Sequence, residues 1–346
     1  MRIALFLPNW VGDVVMATPA IRAARRRYPE ARIVAIGKPY VADVLGGSPR
    51  IDEFVPLEKG HEWSVATRLR DEKIDLAMLF PNSFRTAFVA WLGRCRRRVG
   101  YARYFRDPLL TDRLYPLRDG RGRVKPSPIL SAYNRIAEKV GCPVDSMRME
   151  LFTTPVDEAI AGRVWRECRF HDYRQIICLN PGAAFGAAKL WPAESFALLA
   201  RRLADERGCG VLVLCGPAEC GLANRIAALA DRESVRSLAN FPVSIGLTKA
   251  CVRRANLLVS TDSGPRHFAA ALGRPVVALF GPTHIAWTDT FCSQEIQLQK
   301  QVPCGPCQQR TCPHHHHRCM VELTYEEVYD ATTALADRTE EVCRAG

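Results

Sequence analysis

Residues 1–29, MRIALFLPNWVGDVVMATPAIRAARRRYP, decide the fold. Ile3, Ala4, Leu5, Phe6 and Leu7 make one apolar strand that Pro8 ends. Gly12 and Asp13 then mark a tight turn, and Val14, Val15, Ala17, Ile21 and Ala24 recur at helical spacing. Strand, tight loop and helix in that order open a parallel sheet covered by helices. Outward from this unit, RIVAIG (Arg32–Gly37) and IDLAMLF (residues 74–80) read as further strands, with helices between and after them. A second set follows the Pro-containing segment at residues 151–156. Its strands are QIICLNPGA, GVLVLCGP, NLLVST and PVVALFGP, with helices expected at residues 192–207, 220–231 and 265–272. The fold class is therefore α/β, with two halves: one domain at residues 1–160, a second at 161–322, and a terminal amphipathic helix at 323–346. No repeat with a period of 20 to 50 residues is present, which sets a solenoid aside.

The 346 residues, 48% hydrophobic and 24% charged, are enough for two cores of ordinary domain size. The longest stretches without a charge, residues 175–188 and 275–288, are 14 residues each and carry Pro and Gly. A membrane-spanning helix needs roughly 20 apolar residues. The N-terminus meets Pro8, Asn9 and Asp13 too soon to form a secretory signal, so the chain reads as cytoplasmic. Of 14 cysteines, ten are scattered singly through apolar or helical patterns and read as reduced, packed thiols.

The net charge of +12 is unevenly placed. Residues 1–150 hold 27 Lys and Arg against 16 Asp and Glu, whereas residues 151–346 hold 21 against 20. Arg22, Arg25, Arg26 and Arg27 end the first helix. Arg94, Arg96, Arg97 and Arg98 precede a Gly-Tyr turn, and Arg103, Arg106, Arg113, Arg118, Arg121 and Arg123 follow. Such a field suits an anionic partner, whether nucleic acid, a phosphorylated glycan or an anionic membrane surface. Solubility accounts for arginine content but not for its confinement to one half.

G-x-G-x-x-G, G-x-x-x-x-G-K-[ST] and Asp-x-Asp are all absent, which counts against a dinucleotide dehydrogenase, a P-loop phosphotransferase and one common way of holding a metal on a nucleotide sugar. Three loops stand just beyond expected strands, on the rim where open α/β sheets bind ligands. In Asn9-Trp10-Val11-Gly12-Asp13, Asp13 falls at a helix start and reads either as an N-cap or as a general base for a hydroxyl. In residues 180–192, NPGAAFGAAKLWP, small residues such as Gly182 admit a ligand to the backbone, and Lys189 reads as a phosphate contact or as a solvated lysine. In residues 260–267, STDSGPRH, Ser263 and Gly264 present backbone N–H groups at a helix start, an anion site to which His267 adds a donor unless it is merely packed.

With NWVGDVVMATPAIRAARRRYP, NPGAAFGAAKLWP and STDSGPRHFAAALGRPVVALFGPT in this order, the chain resembles the lipopolysaccharide heptosyltransferase family (glycosyltransferase family 9), in particular its heptosyltransferase II branch. The resemblance runs from residue 1 to about 285. It implies a GT-B fold: two Rossmann-like domains with parallel sheets facing across a cleft, the first for the acceptor and the second for the nucleotide sugar. It implies inverting, metal-independent transfer of L-glycero-D-manno-heptose from ADP-heptose to the inner core of lipopolysaccharide, with no cofactor required. Carried over residue by residue, the catalytic Asp falls on Asp13, the phosphate-contacting Lys on Lys189, and the Asp-[Ser/Thr]-Gly-x-x-His motif on Asp262, Ser263, Gly264 and His267, with Gly182 beside them. One departure is Ala184-Phe185, where some relatives have Thr-Thr. Arg103 and Arg106, in GYARYFRDP, are the expected acceptor contacts, and the basic domain is expected to meet the anionic acceptor at the inner face of the cytoplasmic membrane.

Two readings compete. One keeps the scaffold but changes the nucleotide sugar or the surface-glycan acceptor. The other is a basic nucleic-acid-binding protein, against which the arginines are not interleaved with stacking aromatics and form no recognised module. Cys304-x2-Cys307-x4-Cys312-x6-Cys319, with His314 to His317 inside it, has the soft ligands of a structural zinc or iron–sulfur site, against reduced thiols in a loop.

Overall fold

The computed structural model describes residues 1–120 and 122–341 in full and the backbone of residues 342–345; Arg121 of the basic run lies outside the described residues. The chain forms two compact units, Met1–Phe152 with Ala286–Phe291, and Thr153–Ile285 with Cys292–Gly346.

The first unit is built on a six-stranded sheet of β1 (Arg2–Phe6), β2 (Arg32–Gly37), β3 (Glu53–Pro56), β4 (Leu76–Leu79), β5 (Arg97–Tyr101) and β6 (Asp112–Leu114). All its pairings are parallel, in the order β3-β2-β1-β4-β5-β6. The central strands are buried on both faces, as a parallel sheet under helices requires; Ile3 to Phe6 and Leu76 to Leu79 have no exposed surface. The second unit repeats the plan with β7 (Ile176–Asn180), β8 (Gly210–Val213), β9 (Val235–Ser237), β10 (Leu257–Thr261), β11 (Val276–Phe280) and β12 (Glu295–Gln299), in the order β12-β11-β10-β7-β8-β9. Counted within its own unit, each sheet has the strand order 3-2-1-4-5-6 of a Rossmann fold. The order reverses between β1 and β4 in one sheet and between β7 and β10 in the other. Ligands of open α/β sheets bind beyond the carboxyl ends of the strands at that reversal.

Three local readings change. The single helix expected after Gly12 is two, Val11–Met16 and Thr18–Arg27, because Pro19 at the start of the second has no N–H to continue the first. Gly100-Tyr101 is not a turn but the end of β5. Gly is required there by close packing: a Cβ at Gly100 would stand 2.9 Å from the Arg106 guanidinium and 3.3 Å from the Leu79 carbonyl oxygen. The third change is the set of short strands β3, β5, β6, β9 and β12, none of which the apolar pattern announces. The terminal helix runs Tyr325–Ala345. Among the described residues no helix is long and apolar enough to cross a membrane.

Candidate functional site

In the first unit, the loop after β1 leads into the helix Val11–Met16. Trp10 holds its cap position with extended backbone and makes no side-chain cap bond, so Asp13 is a residue of the first turn and not the N-cap. Asp13 is half-buried. Tyr133 is near enough to feel it: burial first, and then the negative charge of Asp13, hold the Tyr133 hydroxyl well above the ordinary tyrosine range. A cleft of about 130 Å³ opens beyond β1, β2 and β4, at the reversal point, lined among others by Asn9, Lys38, Pro81, Ser83 and Arg85. Arg85 is also paired with Glu62 at 2.6 Å.

Arg106, expected as an acceptor contact, is fully buried: its Nε donates to the Tyr101 carbonyl at 2.7 Å, and its other nitrogens reach the carbonyls of Pro81 and Ser83 and the Asn82 side chain. Burial pushes its pKa down to about 10. This guanidinium ties β5 to the loop after β4. Arg103 is half-buried, with its guanidinium over the Tyr104 ring at 5.1 Å.

In the second unit, the loops after β7 and β10 lie side by side because those strands pair, with Asn180 opposite Ser260. Asn180 Nδ2 donates to Ser263 Oγ at 2.8 Å and to Ser260 Oγ at 3.1 Å, and Thr261 Oγ1 donates to the Gly182 carbonyl at 2.5 Å. Gly182 is pressed against Glu219, whose carboxylate would lie 2.2 Å from a Cβ there. Lys189 is buried. Its Nζ donates to the Asp262 carbonyl at 3.0 Å and to the Asp262 carboxylate. Asp262 also accepts from Thr283 Oγ1 at 2.8 Å and from Arg266 Nη1 at 3.2 Å, and Arg266 Nε is paired in turn with Glu295. Two cations and two carboxylates thus balance one another out of water, as buried charges must. Burial alone would push the Asp262 carboxyl up, but Lys189 and Arg266 pull it well below the usual range. An ammonium has three donors, so Lys189 keeps one beyond the two that Asp262 takes.

Ser263 caps the helix Gly264–Ala271 in extended conformation without a side-chain cap bond, since its hydroxyl faces Asn180. His267 lies one turn in, buried, and its Nδ1 has no hydrogen-bond partner among the described residues. Burial and the repulsion of Arg266 push it down to about 3, so it is neutral near pH 7. Gly182, Lys189, Asp262, Ser263, Gly264 and His267 therefore belong to one locus at the carboxyl ends of β7 and β10. The sequence reading did not single out Asn180, Thr261, Thr283, Arg266 or Glu295. Only Glu295 and Thr283 lie outside its three loops, and Glu295 is on an edge strand that the apolar pattern does not announce. The Phe185 ring faces the Lys189 ammonium, which lies 4.8 Å from its centre.

Cys304, Cys307, Cys312 and Cys319 all line one small cavity of about 20 Å³. Among the described residues no group of three or more His, Cys, Asp or Glu side chains is in position to hold a metal ion.

The family model described as glycosyltransferase family 9 (heptosyltransferase) matches residues 62–317. The chain is 27% identical to lipopolysaccharide heptosyltransferase 2 of Escherichia coli strain K12, over 97% of this chain and 98% of that protein. It is 26% identical to lipooligosaccharide heptosyltransferase 2 of Campylobacter jejuni serotype O:2, over 95% and 97%. Among solved structures it superposes on E. coli ADP-heptose LPS heptosyltransferase II with a TM-score of 0.81 at 25% identity, covering 98% of this chain and all of that one.

Proposed function

The chain belongs to glycosyltransferase family 9, the heptosyltransferases, and from that premise we propose that it transfers a heptose from ADP-heptose to the inner core of lipopolysaccharide, inverting the anomeric carbon and using no metal in the reaction. The observation that carries this reading is the buried Lys189–Asp262 pair beside the uncapped helix at Ser263 and Gly264. A cation with a donor in reserve and a helix N-terminus in one place suit a leaving diphosphate. The proteins it resembles are named for lipopolysaccharide, lipooligosaccharide and ADP-heptose.

In the proposed step Asp13 takes the proton of an acceptor hydroxyl, the oxygen bonds to the anomeric carbon of the donor, and the bond to the diphosphate breaks. ADP leaves with the electron pair, stabilised by Lys189 and the N–H groups at Ser263 and Gly264. His267, neutral, serves as a hydrogen-bonding group toward sugar or phosphate and not as a counter-charge. The acceptor reading passes from Arg106 to the cleft bearing Lys38 and Arg85, and the basic first unit works at the cytoplasmic face of the membrane, against anionic lipid and acceptor.

ADP release from ADP-heptose with a panel of truncated core acceptors tests this reading. Activity is expected with ADP-heptose and not with UDP- or GDP-sugars. Asp13→Asn is expected to lower kcat by about 10³-fold with little change in donor KM. Full turnover by that variant, or preference for another nucleotide, overturns the proposal.

A further inference from the structure

The loop carrying the four late cysteines has no part in the step just described, yet it touches the donor loop at several points. The Arg310 carbonyl accepts the Ala188 N–H at 3.0 Å, and a Cβ on Gly186, whose φ is +153°, would stand 2.4 Å from that same oxygen. The Arg310 guanidinium lies 5.5 Å from the Phe185 ring centre, on the ring that also meets Lys189. The Gln308 N–H donates to the Pro282 carbonyl at 2.8 Å. The segment between Cys307 and Cys312 is therefore the brace of the loop that presents Lys189.

What holds the brace in shape is the question the cysteines answer. All four thiols are free and surround one small cavity whose other walls include Ala188, Pro282 and Val302. The His315 N–H donates to the Cys312 carbonyl at 3.2 Å, and Cys304 Sγ lies 3.9 Å from His316 Nε2. His315 and His317 adopt left-handed backbone, with φ of +56° and +47°, which residues other than Gly mostly avoid. Strain of this kind persists where something over-determines the loop. Four thiols within 16 residues, all on one small cavity, match the chemistry of a soft divalent ion and not that of a packed apolar core.

We propose that Cys304, Cys307, Cys312 and Cys319 bind one structural thiophilic ion, zinc or iron, and that the metal-bound loop fixes the donor loop through Arg310. Binding draws the sulfurs in on the cavity and releases their protons. The ion is remote from the transfer chemistry, and its removal loosens the presentation of Lys189.

The test uses the full chain, purified without a histidine tag after growth in medium supplemented with zinc or iron, with bound metal measured by plasma mass spectrometry. About one equivalent per chain is expected, lost in Cys307→Ser with Cys319→Ser and retained when His314 to His317 are replaced by Ala. In cobalt-reconstituted protein a thiolate-to-cobalt charge-transfer band is expected, which does not depend on turnover. The effect on the donor loop rests on the ADP-heptose reading: chelation, or Arg310→Ala with metal retained, is expected to raise donor KM roughly 10-fold while kcat falls less. Absence of stoichiometric metal in both media overturns the site, as does metal that follows the histidines and not the cysteines. A bound metal whose removal leaves donor KM unchanged overturns the coupling.

Discussion

At the scale of single residues, the buried set around Asp262 makes a definite pH signature. His267 is held down to about 3 in the folded chain, against about 6.5 for an exposed histidine. Below about pH 6.5 the unfolded chain binds a proton there that the folded chain refuses, so stability falls as pH falls, by about 1.4 kcal/mol per pH unit for that one proton, until the folded pKa is reached. Asp262, depressed by Lys189 and Arg266, acts in the same direction at lower pH: its contribution is present above the ordinary carboxylate range and is lost on acidification. Thermal unfolding followed from pH 7.5 down to 4 is expected to show a steep fall in Tm, and His267→Gln a shallower one. Parallel profiles for the two proteins would show that His267 is not buried as a neutral group. Part of this was legible in the sequence. Ser263, Gly264 and His267 stood out because a strand end followed by a helix start makes an anion site, and Asp262 through the family resemblance alone. The depression of His267 was not legible, because it comes from complete burial next to Arg266. The ion pair that fixes Arg266 comes from Glu295, a residue no local pattern connects to it.

At the scale of elements, the strands that read clearly are those at the middle of each sheet. β1, β4, β7, β8, β10 and β11 are continuous apolar runs because both faces are covered. The strands that did not read are β3, β5, β6, β9 and β12, toward the margins, where burial falls off and the residues become EFVP, RRVGY, DRL, VRS and EIQLQ. β5 is the instructive one: its arginines read as a surface charge run and its Gly as a turn. Arg98 in fact donates to the carbonyls of Leu109 and Cys95, both at 2.6 Å, and Gly100 makes room for Arg106. A charge count along the sequence sees a run of cations here and not the carbonyl oxygens that hold Arg98. Gly100→Val should therefore act through Arg106, displacing a buried guanidinium and leaving the carbonyls of Tyr101 and Pro81 without their donor. A loss of about 2–4 kcal/mol is expected, read as a lower urea midpoint with an unchanged slope. A variant within about 0.5 kcal/mol of the parent would show that the contact between β5 and this side chain is slack.

At the scale of the whole molecule, the asymmetry of charge survives the discovery that many arginines of the first unit are engaged. Carbonyl partners, such as those of Arg98, Arg106 and Arg113, satisfy the donors without cancelling the charge. Carboxylate partners, as in Arg25 with Asp52 at 2.6 Å and Arg97 with Asp112 at 2.7 Å, were already counted in the net figure for the first half. The field of that half is therefore a long-range property, open to screening by salt, whereas the Lys189–Asp262–Arg266 set is short-range and shielded. The Debye length shrinks from about 10 Å at 0.1 M to about 3 Å at 1 M, so the two substrates of the proposed reaction should respond differently. Between 50 and 500 mM NaCl the KM for a phosphorylated core acceptor is expected to rise about 10-fold or more, and the KM for ADP-heptose by less than about 3-fold. An acceptor stripped of its phosphates should lose most of that dependence. Initial rates of ADP release at fixed saturating donor, then at fixed saturating acceptor, separate the two. If both constants move together, or neither moves, the positive charge of residues 1–150 guides no substrate, and its partner must be sought in the anionic membrane surface instead.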